Sequence, residues 1–220
     1  MPKVAIIIPA LNEANTIYDI VKGLTGIGLV IVVDDGSIDG TSTEALRGGA
    51  TVIKHDKNRG YDKALAAGFV AAIERDAQIL LTCDADGQHS LESVHSVLKA
   101  MSDDNTSIAI GARNYFPRFS EYLFGYYTKK RFSIPDPLCG LKAIKSDVYK
   151  KYNNPKTRKT INTGLLLDVA RDGGKISSVP INIISRQDNQ ARIGGVLKAN
   201  YRILRAWAKC IANDLRFYYL

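Results

Sequence analysis

Short apolar runs alternate with polar loops along the first half of the chain. The runs cover Val4–Ile8, Leu29–Val33, Thr51–Ile53, Ala77–Thr82 and Ser107–Gly111. Runs that are apolar almost throughout, rather than at every second position, are typical of strands buried on both faces of a parallel sheet. The pattern therefore predicts an α/β fold in which these five runs are strands.

Between the runs, apolar residues recur at helical spacing. They predict helices around Ile17–Leu24, with Asn12 or Asn15 as its N-cap, around Tyr61–Ile73 and around Leu91–Met101. Strands that alternate with helices in this way favour a mostly parallel sheet with helices on both faces.

After Arg113 the pattern is looser. Residues 115–132 are rich in aromatic and basic side chains, and no element is assigned to them. Further on, the pattern predicts a strand and a short helix over Leu141–Tyr152, a helix over Thr163–Arg171, a strand over Ile176–Ser185 despite Pro180, and a C-terminal helix from Gly195.

Two stripes run along this C-terminal helix. The apolar stripe is Leu197, Tyr201, Leu204, Ala208, Ile211 and Leu215, with Trp207 within it, and the basic stripe beside it is Lys198, Arg202, Arg205 and Lys209. Such a helix can pack on the core, or its basic and aromatic residues can lie in the headgroup region of an anionic membrane. The second interpretation predicts a cytoplasmic protein bound peripherally at the inner face of the cell membrane.

Charge divides the chain of 220 residues into two halves. Residues 1–110 hold 9 Lys and Arg against 15 Asp and Glu, a net charge of −6, whereas residues 111–220 hold 21 against 7, a net charge of +14. An acidic half suits a cation, and a basic half suits an anion or an anionic surface. We expect one domain over residues 1–220.

The sequence argues against several other classes of protein. Cys83, Cys139 and Cys210 are scattered and odd in number, which indicates a reducing compartment rather than a disulfide framework or a zinc site. We expect neither a secretory leader nor a membrane-spanning segment. The first loop lacks the glycines of a dinucleotide-binding turn, and no Walker loop is present.

Polar loops follow the predicted strands at Pro9–Glu13, Asp34–Thr41, Lys57–Gly60, Asp84–His89 and Gly111–Arg113. Ligands of parallel α/β sheets bind beyond the carboxyl ends of the strands, so the chemistry of these loops converges on one edge. Asp84, Asp86 and Gln88 offer the oxygen ligands that Mg²⁺ or Mn²⁺ prefers, although an acidic turn that caps the next helix would look the same.

Other acids in these loops have different expected roles. Asp35 and Glu13 can accept hydrogen bonds from a base or a ribose, whereas Asp34 and Asp39 are expected to make turns and cap helices.

Four of these segments together resemble the family-2 glycosyltransferases, and most closely the dolichyl- or polyprenyl-phosphate mannosyl- and glucosyltransferases. The resemblance covers about residues 3–190. The segments that carry it are Val4–Glu13, Val33–Thr41, Asn58–Gly60 and Asp84–His89.

The resemblance implies a GT-A fold, a nucleotide-sugar donor, a divalent metal and inversion at the anomeric carbon. It divides the domain into a donor- and metal-binding half over residues 1–113 and an acceptor-binding half with the C-terminal helix over residues 114–220. It implies that the donor is bound by Pro9, Ala10, Asn12, Glu13, Asp35, Asn58, Asp84, Ala85, Arg113 and Arg186. It assigns Asp84, Asp86 and Gln88 to the metal and diphosphate, and it implies that Asp86 and Asp136 are catalytic. Two departures concern the acceptor: Gln187–Gly195 lacks the serine–lysine pair usual after the arginine at 186, and Cys139 replaces a small hydroxyl residue.

The acceptor stays open between two chemistries. A lipid phosphate is already an anion and needs cations to orient it, which the basic half supplies. A sugar hydroxyl needs a general base, for which Asp136 is the candidate. A nucleotidyltransferase or a catalytically silent nucleotide-binding module is the other class considered. The acidic strand-end face argues against a nucleic-acid partner.

Overall fold

The structure is a computed structural model that describes residues 3–116, 118–152 and 161–184, and the last helix over residues 196–218. These residues form one seven-stranded sheet in the order β3-β2-β1-β4-β6-β5-β7. The strands are β1 (Val4–Ala10), β2 (Leu29–Asp34), β3 (Thr51–Lys54), β4 (Ile79–Thr82), β5 (Thr106–Arg113), β6 (Lys142–Lys145) and β7 (Lys175–Ile181).

Eight helices connect or follow these strands in the described chain. They are α1 (Ile17–Leu24), α2 (Thr41–Gly48), α3 (Tyr61–Ile73), α4 (Leu91–Ala100), α5 (Phe119–Phe132), α6 (Ser146–Tyr152), α7 (Thr163–Arg171) and α8 (Val196–Tyr218). None of the helices in the described ranges is both long and apolar enough to cross a bilayer.

The sheet is mostly parallel, as predicted, with one exception that matters for the site. Strand β6 pairs antiparallel with both β4 and β5. A strand from the second half of the chain is therefore inserted between two strands of the first half. This insertion brings the turn before β6 against the loop that follows β4.

The core lies at the centre of the sheet, where most residues of β1 and β2 are buried. Ile6, Ile7, Ile8 and Ile31 have no exposed surface. Helix α3 approaches β1 so closely that a Cβ atom at Gly68 would lie 2.3 Å from Cγ2 of Ile7. These continuous apolar runs are what the sequence pattern recognised as strands.

Two helices were not predicted. Helix α2 is short and polar and buries only Thr41, Ala45 and Gly48, so it lacks the apolar stripe that marks a helix in a sequence. In α5, apolar and basic residues are spread around the whole circumference, and its buried face consists mainly of small and polar residues, Ser120, Glu121, Gly125 and Thr128, with Phe124.

The predicted N-cap of α1 was wrong. The N-cap is Thr16, and its side chain makes no capping hydrogen bond. Asn12 instead adopts φ 55°, and its Oδ1 accepts a hydrogen bond of 3.0 Å from the Ile38 N–H. A side chain that joins two loops is not available to cap a helix.

The strand that contains Pro180 is explained by its place in the sheet. Strand β7 lies at the edge, with β5 as its one neighbour, so a residue without an N–H is tolerated there. Ser185, the predicted end of this strand, lies outside the described residues.

Helix α8 packs mainly through residues that the predicted stripe did not include, although Trp207 was part of it. Ile203, Trp207 and Cys210 contact a small cluster around Phe124 and Leu167. Tyr201 and Leu204 of the predicted stripe are 65% and 39% exposed. The side chains of Leu197, Leu215, Lys198, Arg202 and Lys209 lie outside the described residues.

A buried ion pair fixes α8 in place. Nε of Arg171 donates to Asp214 Oδ1 at 2.5 Å, and the Tyr127 hydroxyl donates to Oδ2 of the same carboxylate at 2.5 Å. Asp214 is 6% exposed. Helix α8 is therefore joined to α5 and α7 by a polar contact as well as by apolar packing.

Candidate active site

Hydrogen bonds tie the polar loops together at the carboxyl ends of the strands. The backbone N–H of Asn12 donates to Ser37 Oγ at 2.9 Å, and that of Glu13 donates to Thr41 Oγ1 at 2.8 Å. The Thr16 hydroxyl donates to the Ala85 carbonyl at 2.7 Å. The first loop is thus bound to both the second loop and the loop after β4, so these three loops meet as the sequence predicted.

Asp35 holds the neighbouring loop of residues 55–60. Its Oδ1 contacts His55 Nδ1 at 2.7 Å and accepts from the Arg59 N–H at 2.9 Å, while Oδ2 accepts from the Gly60 N–H at 2.7 Å. Burial alone would raise the pKa of Asp35, but these hydrogen bonds outweigh burial and lower it. A role in binding the nucleoside stays a prediction, and Asn58 lies exposed in the loop that Asp35 shapes.

Asp34 and Asp39 use their carboxylates within the turn. Asp34 accepts from the Ser37 N–H at 2.8 Å and from the Ser42 hydroxyl. Asp39 accepts from the N–H groups of Thr41 and Ala14. These contacts match the turn-making role that the sequence favoured for both residues, although Gly40 is the N-cap of α2.

The loop after β4 presents Asp84 partly to solvent. Its side chain is 34% exposed, its Oδ1 lies 3.3 Å from the Tyr61 hydroxyl, and its Oδ2 lies 3.5 Å from His89 Nε2. Two residues on, Asp86 Oδ1 accepts from the Gln88 N–H at 3.1 Å. A cavity of about 410 Å³ between α1 and the start of α4 borders Asp86 and His89.

These residues fit a hard divalent cation. The accessible carboxylate of Asp84 can reach an ion, and the loop also supplies Asp86 and the Gln88 amide. Within the described ranges no three His, Cys, Asp or Glu side chains converge on one point. An ion here would therefore need phosphate and water oxygens to complete its coordination.

Asp136 and Arg113, both predicted site residues, form a buried ion pair. Arg113 Nε donates to Asp136 Oδ2 at 2.6 Å and Nη2 donates to Oδ1 at 3.0 Å, while the Arg113 N–H donates to Oδ2 at 3.2 Å. Asp136 is 1% exposed. Burial opposes the charge on Arg113, but the hydrogen bonds and charge of Asp136 raise its pKa. Both carboxylate oxygens are thus already bonded to a cation.

The ion pair continues toward α5. Arg113 Nη2 also donates to Glu121 Oε2 at 3.2 Å, and Arg118 Nη1 donates to Glu121 Oε1 at 2.6 Å. Arg186 lies outside the described residues.

Tyr61, Gly140 and Lys142 also lie at the site, although sequence reasoning gave them no role. The Tyr61 hydroxyl meets Asp84, a Cβ atom at Gly140 would lie 2.0 Å from Asp84 Oδ2, and Lys142 Nζ donates to the Pro137 carbonyl at 3.1 Å. Burial lowers the pKa of Lys142 to about 8, although the nearby carboxylates of Asp136 and Asp84 favour its charged form. Their positions in the sequence could have identified them, because Tyr61 directly follows the Asn58–Gly60 motif, and Gly140 and Lys142 follow Asp136 closely.

A mostly parallel sheet with acidic loops at its carboxyl ends and an antiparallel insertion beside them defines a nucleotide-sugar-binding fold of the GT-A type. Residues 5–160 match the family described as Glycosyl transferase family 2. The chain therefore belongs to the family-2 glycosyltransferases, and it is a nucleotide-sugar-dependent glycosyltransferase.

Two relatives align over most of the chain. An uncharacterized protein of Methanocaldococcus jannaschii is 30% identical, over 92% of this chain and 89% of its own length. The UDP-N-acetylglucosamine–dolichyl-phosphate N-acetylglucosaminyltransferase of Methanococcus voltae is 27% identical, over 90% of this chain and 94% of its own length.

A solved structure shows the same fold. Glucosyl-3-phosphoglycerate synthase from Mycobacterium tuberculosis, in complex with Mn²⁺, uridine diphosphate and glucosyl-3-phosphoglycerate, superposes with a TM-score of 0.74 at 18% identity. The match covers 96% of this chain and 79% of that one.

Proposed function

We propose that this protein transfers a hexose from a UDP- or GDP-linked donor to a polyprenyl or dolichyl phosphate, with a divalent metal and with inversion at the anomeric carbon. The observation that carries the acceptor part of the proposal is the state of Asp136. Its two oxygens are bonded to Arg113 and it is 1% exposed. A carboxylate in this state is not free to deprotonate a sugar hydroxyl, whereas a phosphate acceptor needs no strong base.

Asp84, Asp86 and Gln88 would hold Mg²⁺ or Mn²⁺. A bound ion would offset the negative charge that grows on the diphosphate as the glycosidic bond breaks. The Mn²⁺ and uridine diphosphate in the mycobacterial synthase support this assignment. Pro9, Glu13 and Asp35 would bind the nucleoside in the loops beside it.

Arg113 would contact the transferred sugar or the phosphate. Nε and Nη2 are bonded to Asp136 and Glu121, and the side chain is 18% exposed. Asp136 would then act as a positioning residue that holds the guanidinium at the end of β5. The dolichyl-phosphate acceptor in the name of the Methanococcus voltae relative supports a lipid phosphate.

The exposed faces of α5 and α8 support a membrane location for this acceptor. Phe119, Tyr122 and Tyr126 on α5 are 73%, 54% and 55% exposed, and Tyr201 and Leu204 are exposed on α8. Lys129–Arg131 at the end of α5 are exposed as well. Aromatic and basic residues on neighbouring helices suit peripheral binding to an anionic bilayer, which we assign to the inner face of the cell membrane.

A panel of UDP- and GDP-sugars tests the proposal, with each donor offered to polyprenyl phosphate in anionic liposomes and to free sugars. We expect transfer to the lipid phosphate, loss of transfer with EDTA, and recovery with excess Mn²⁺. The fraction of protein that cosediments with the same liposomes should fall as the salt concentration rises. Transfer to a sugar hydroxyl alone would contradict the proposed lipid-phosphate acceptor. Turnover that is unchanged by EDTA would contradict the proposed need for a metal.

A further inference from the structure

His89 is a buried polar side chain that the proposed chemistry does not use. Its side chain is 4% exposed, and neither ring nitrogen has a hydrogen-bond partner among the described residues. A buried imidazole without partners costs free energy, because it has lost water and gained no hydrogen bond. Such a group calls for an explanation from its surroundings.

The nearest polar group is the carboxylate of Asp84. Nε2 of His89 lies 3.5 Å from Asp84 Oδ2, which is ion-pair distance but too long for a good hydrogen bond. A movement of about half an ångström would bring the two atoms into normal hydrogen-bond range.

The backbone holds His89 beside this carboxylate. His89 forms an antiparallel bridge with Ile183, and the Ile184 N–H donates to the Gln88 carbonyl at 3.0 Å. The next residue, Ser90, caps α4 by accepting from the Ser93 N–H at 3.1 Å. The imidazole is therefore fixed between the end of the sheet and the first turn of a helix.

His89 and Tyr61 approach different oxygens of the Asp84 carboxylate. Nε2 of His89 lies nearest Oδ2, which is also the atom nearest to a Cβ built on Gly140, whereas the Tyr61 hydroxyl contacts Oδ1. A single donor at one oxygen can orient the carboxylate and leave part of it to bind an ion.

We propose that His89 is a positioning residue that donates its Nε2–H to Asp84 Oδ2 and so fixes this carboxylate for the divalent ion. The inference rests on the metal part of the proposed function. Ligands of a metal are commonly oriented by hydrogen bonds from a second layer of residues, and loss of such a partner lowers metal affinity by about 10- to 100-fold.

Titration of the full chain with Mn²⁺, monitored by electron paramagnetic resonance in the presence of UDP and separately of GDP, tests the inference without an activity assay. His89→Leu removes the donor, His89→Gln keeps an N–H near the position of Nε2, and His95→Leu removes an exposed histidine of α4 as a matched control. We expect Mn²⁺ binding about 10- to 100-fold weaker for His89→Leu, close to wild type for His89→Gln, and unchanged for His95→Leu.

Circular dichroism with EDTA present identifies any variant that does not fold. If His89→Leu is unfolded, His89→Asn replaces it, because its shorter amide no longer reaches Oδ2. Equal Mn²⁺ affinity in folded wild-type and donor-deficient proteins would overturn the inference while leaving the metal in place. Hyperfine coupling of Mn²⁺ to an imidazole nitrogen would also overturn it, because His89 would then be a ligand. A wild-type chain that binds no Mn²⁺ would overturn both this inference and the proposed metal.

Discussion

Asp84 and Asp136 are carboxylates at the same edge of the sheet, yet they are in opposite states. Asp84 keeps 34% of its side chain exposed and meets Tyr61 and His89 only at 3.3 and 3.5 Å. Asp136 is 1% exposed and accepts three hydrogen bonds from Arg113. The loop after β4 is therefore open to a ligand, whereas in the turn before β6 the Asp136 carboxylate is already paired with Arg113. A carboxylate's task follows from what already binds it and not from its position in a motif.

Asp86→Ala should have the largest effect on turnover. A metal supplies several kcal/mol of stabilisation to a developing charge, so loss of one of its carboxylates should lower the rate by about 100-fold or more. The fold should survive, because Asp86 lies in a loop. Rates measured in saturating Mg²⁺ or Mn²⁺ check this, with Asp104→Ala in another exposed loop as the control. Near-normal turnover would mean that the open loop does not hold the ion.

Arg113→Ala should have the largest effect on stability, because it leaves Asp136 buried without its cation. Breaking a buried ion pair from one side typically costs about 3–5 kcal/mol of the free energy of unfolding. Arg47→Ala is the matched control, since Arg47 pairs with Glu44 at the surface and should cost no more than about 1 kcal/mol. Urea unfolding of both variants measures the difference. Equal losses of unfolding free energy in the two variants would show that Asp136 is not a buried carboxylate that depends on Arg113.

Gly140→Ala should disturb Asp84 in the loop after β4, because Gly140 lies in the turn before β6 that contacts this loop. The added Cβ would lie 2.0 Å from Asp84 Oδ2, so the carboxylate must move. We expect a cost of about 1–3 kcal/mol, the usual range for overpacking, in stability or in Mn²⁺ affinity. Gly26→Ala meets nothing within 4 Å and serves as the control. If calorimetry finds the two variants alike, the turn and the loop are not in contact.

Substitution of Asp35 should have the smallest effect of these changes, and its effect on stability should depend on pH. Hydrogen bonds lower the pKa of this carboxyl in the folded state. Its contribution to stability is therefore complete above the unfolded pKa of about 3.9 and is lost as pH falls through the lower folded pKa. Asp35→Asn should weaken binding of the donor nucleotide, UDP or GDP, by about tenfold, or 1.4 kcal/mol, and should remove part of the acid-induced loss of stability. Calorimetric titration and unfolding between pH 2 and about pH 6 test both.

The sequence predicted the loops after β1, β2 and β4 better than the turn before β6. Continuous apolar runs define β1, β2 and β4, and the polar residues at their ends must then meet. Asp35 accordingly accepts hydrogen bonds from the loop of residues 55–60, and Asp84 contacts Tyr61 at the start of α3. The antiparallel insertion of β6 left no such signal, because Lys142 looks like a surface residue in the sequence although it is 1% exposed. The contact of Gly140 with Asp84 depends on that insertion and could not be predicted from local pattern.

The same limit explains the last helix. Period selected a stripe that contains Trp207 but also the exposed Tyr201 and Leu204. The contacts with α5 and α7 use Trp207 together with Cys210 and Asp214, which the stripe did not include. A buried ion pair between Arg171 and Asp214 makes polar residues part of the packed face. Hydrophobic periodicity has no means of finding a face that is held in this way.

Metal-dependent binding of the nucleotide tests the central claim most directly. Calorimetric titration of UDP and GDP, each with Mn²⁺ and with EDTA, is run on the wild-type chain and on Asp86→Asn, with Asp104→Asn as the control. We predict that Mn²⁺ tightens binding of one nucleotide by at least about tenfold in the wild type and the control, and that Asp86→Asn loses this gain. Nucleotide affinity that is the same with and without metal, or a gain that survives in Asp86→Asn, would contradict the account.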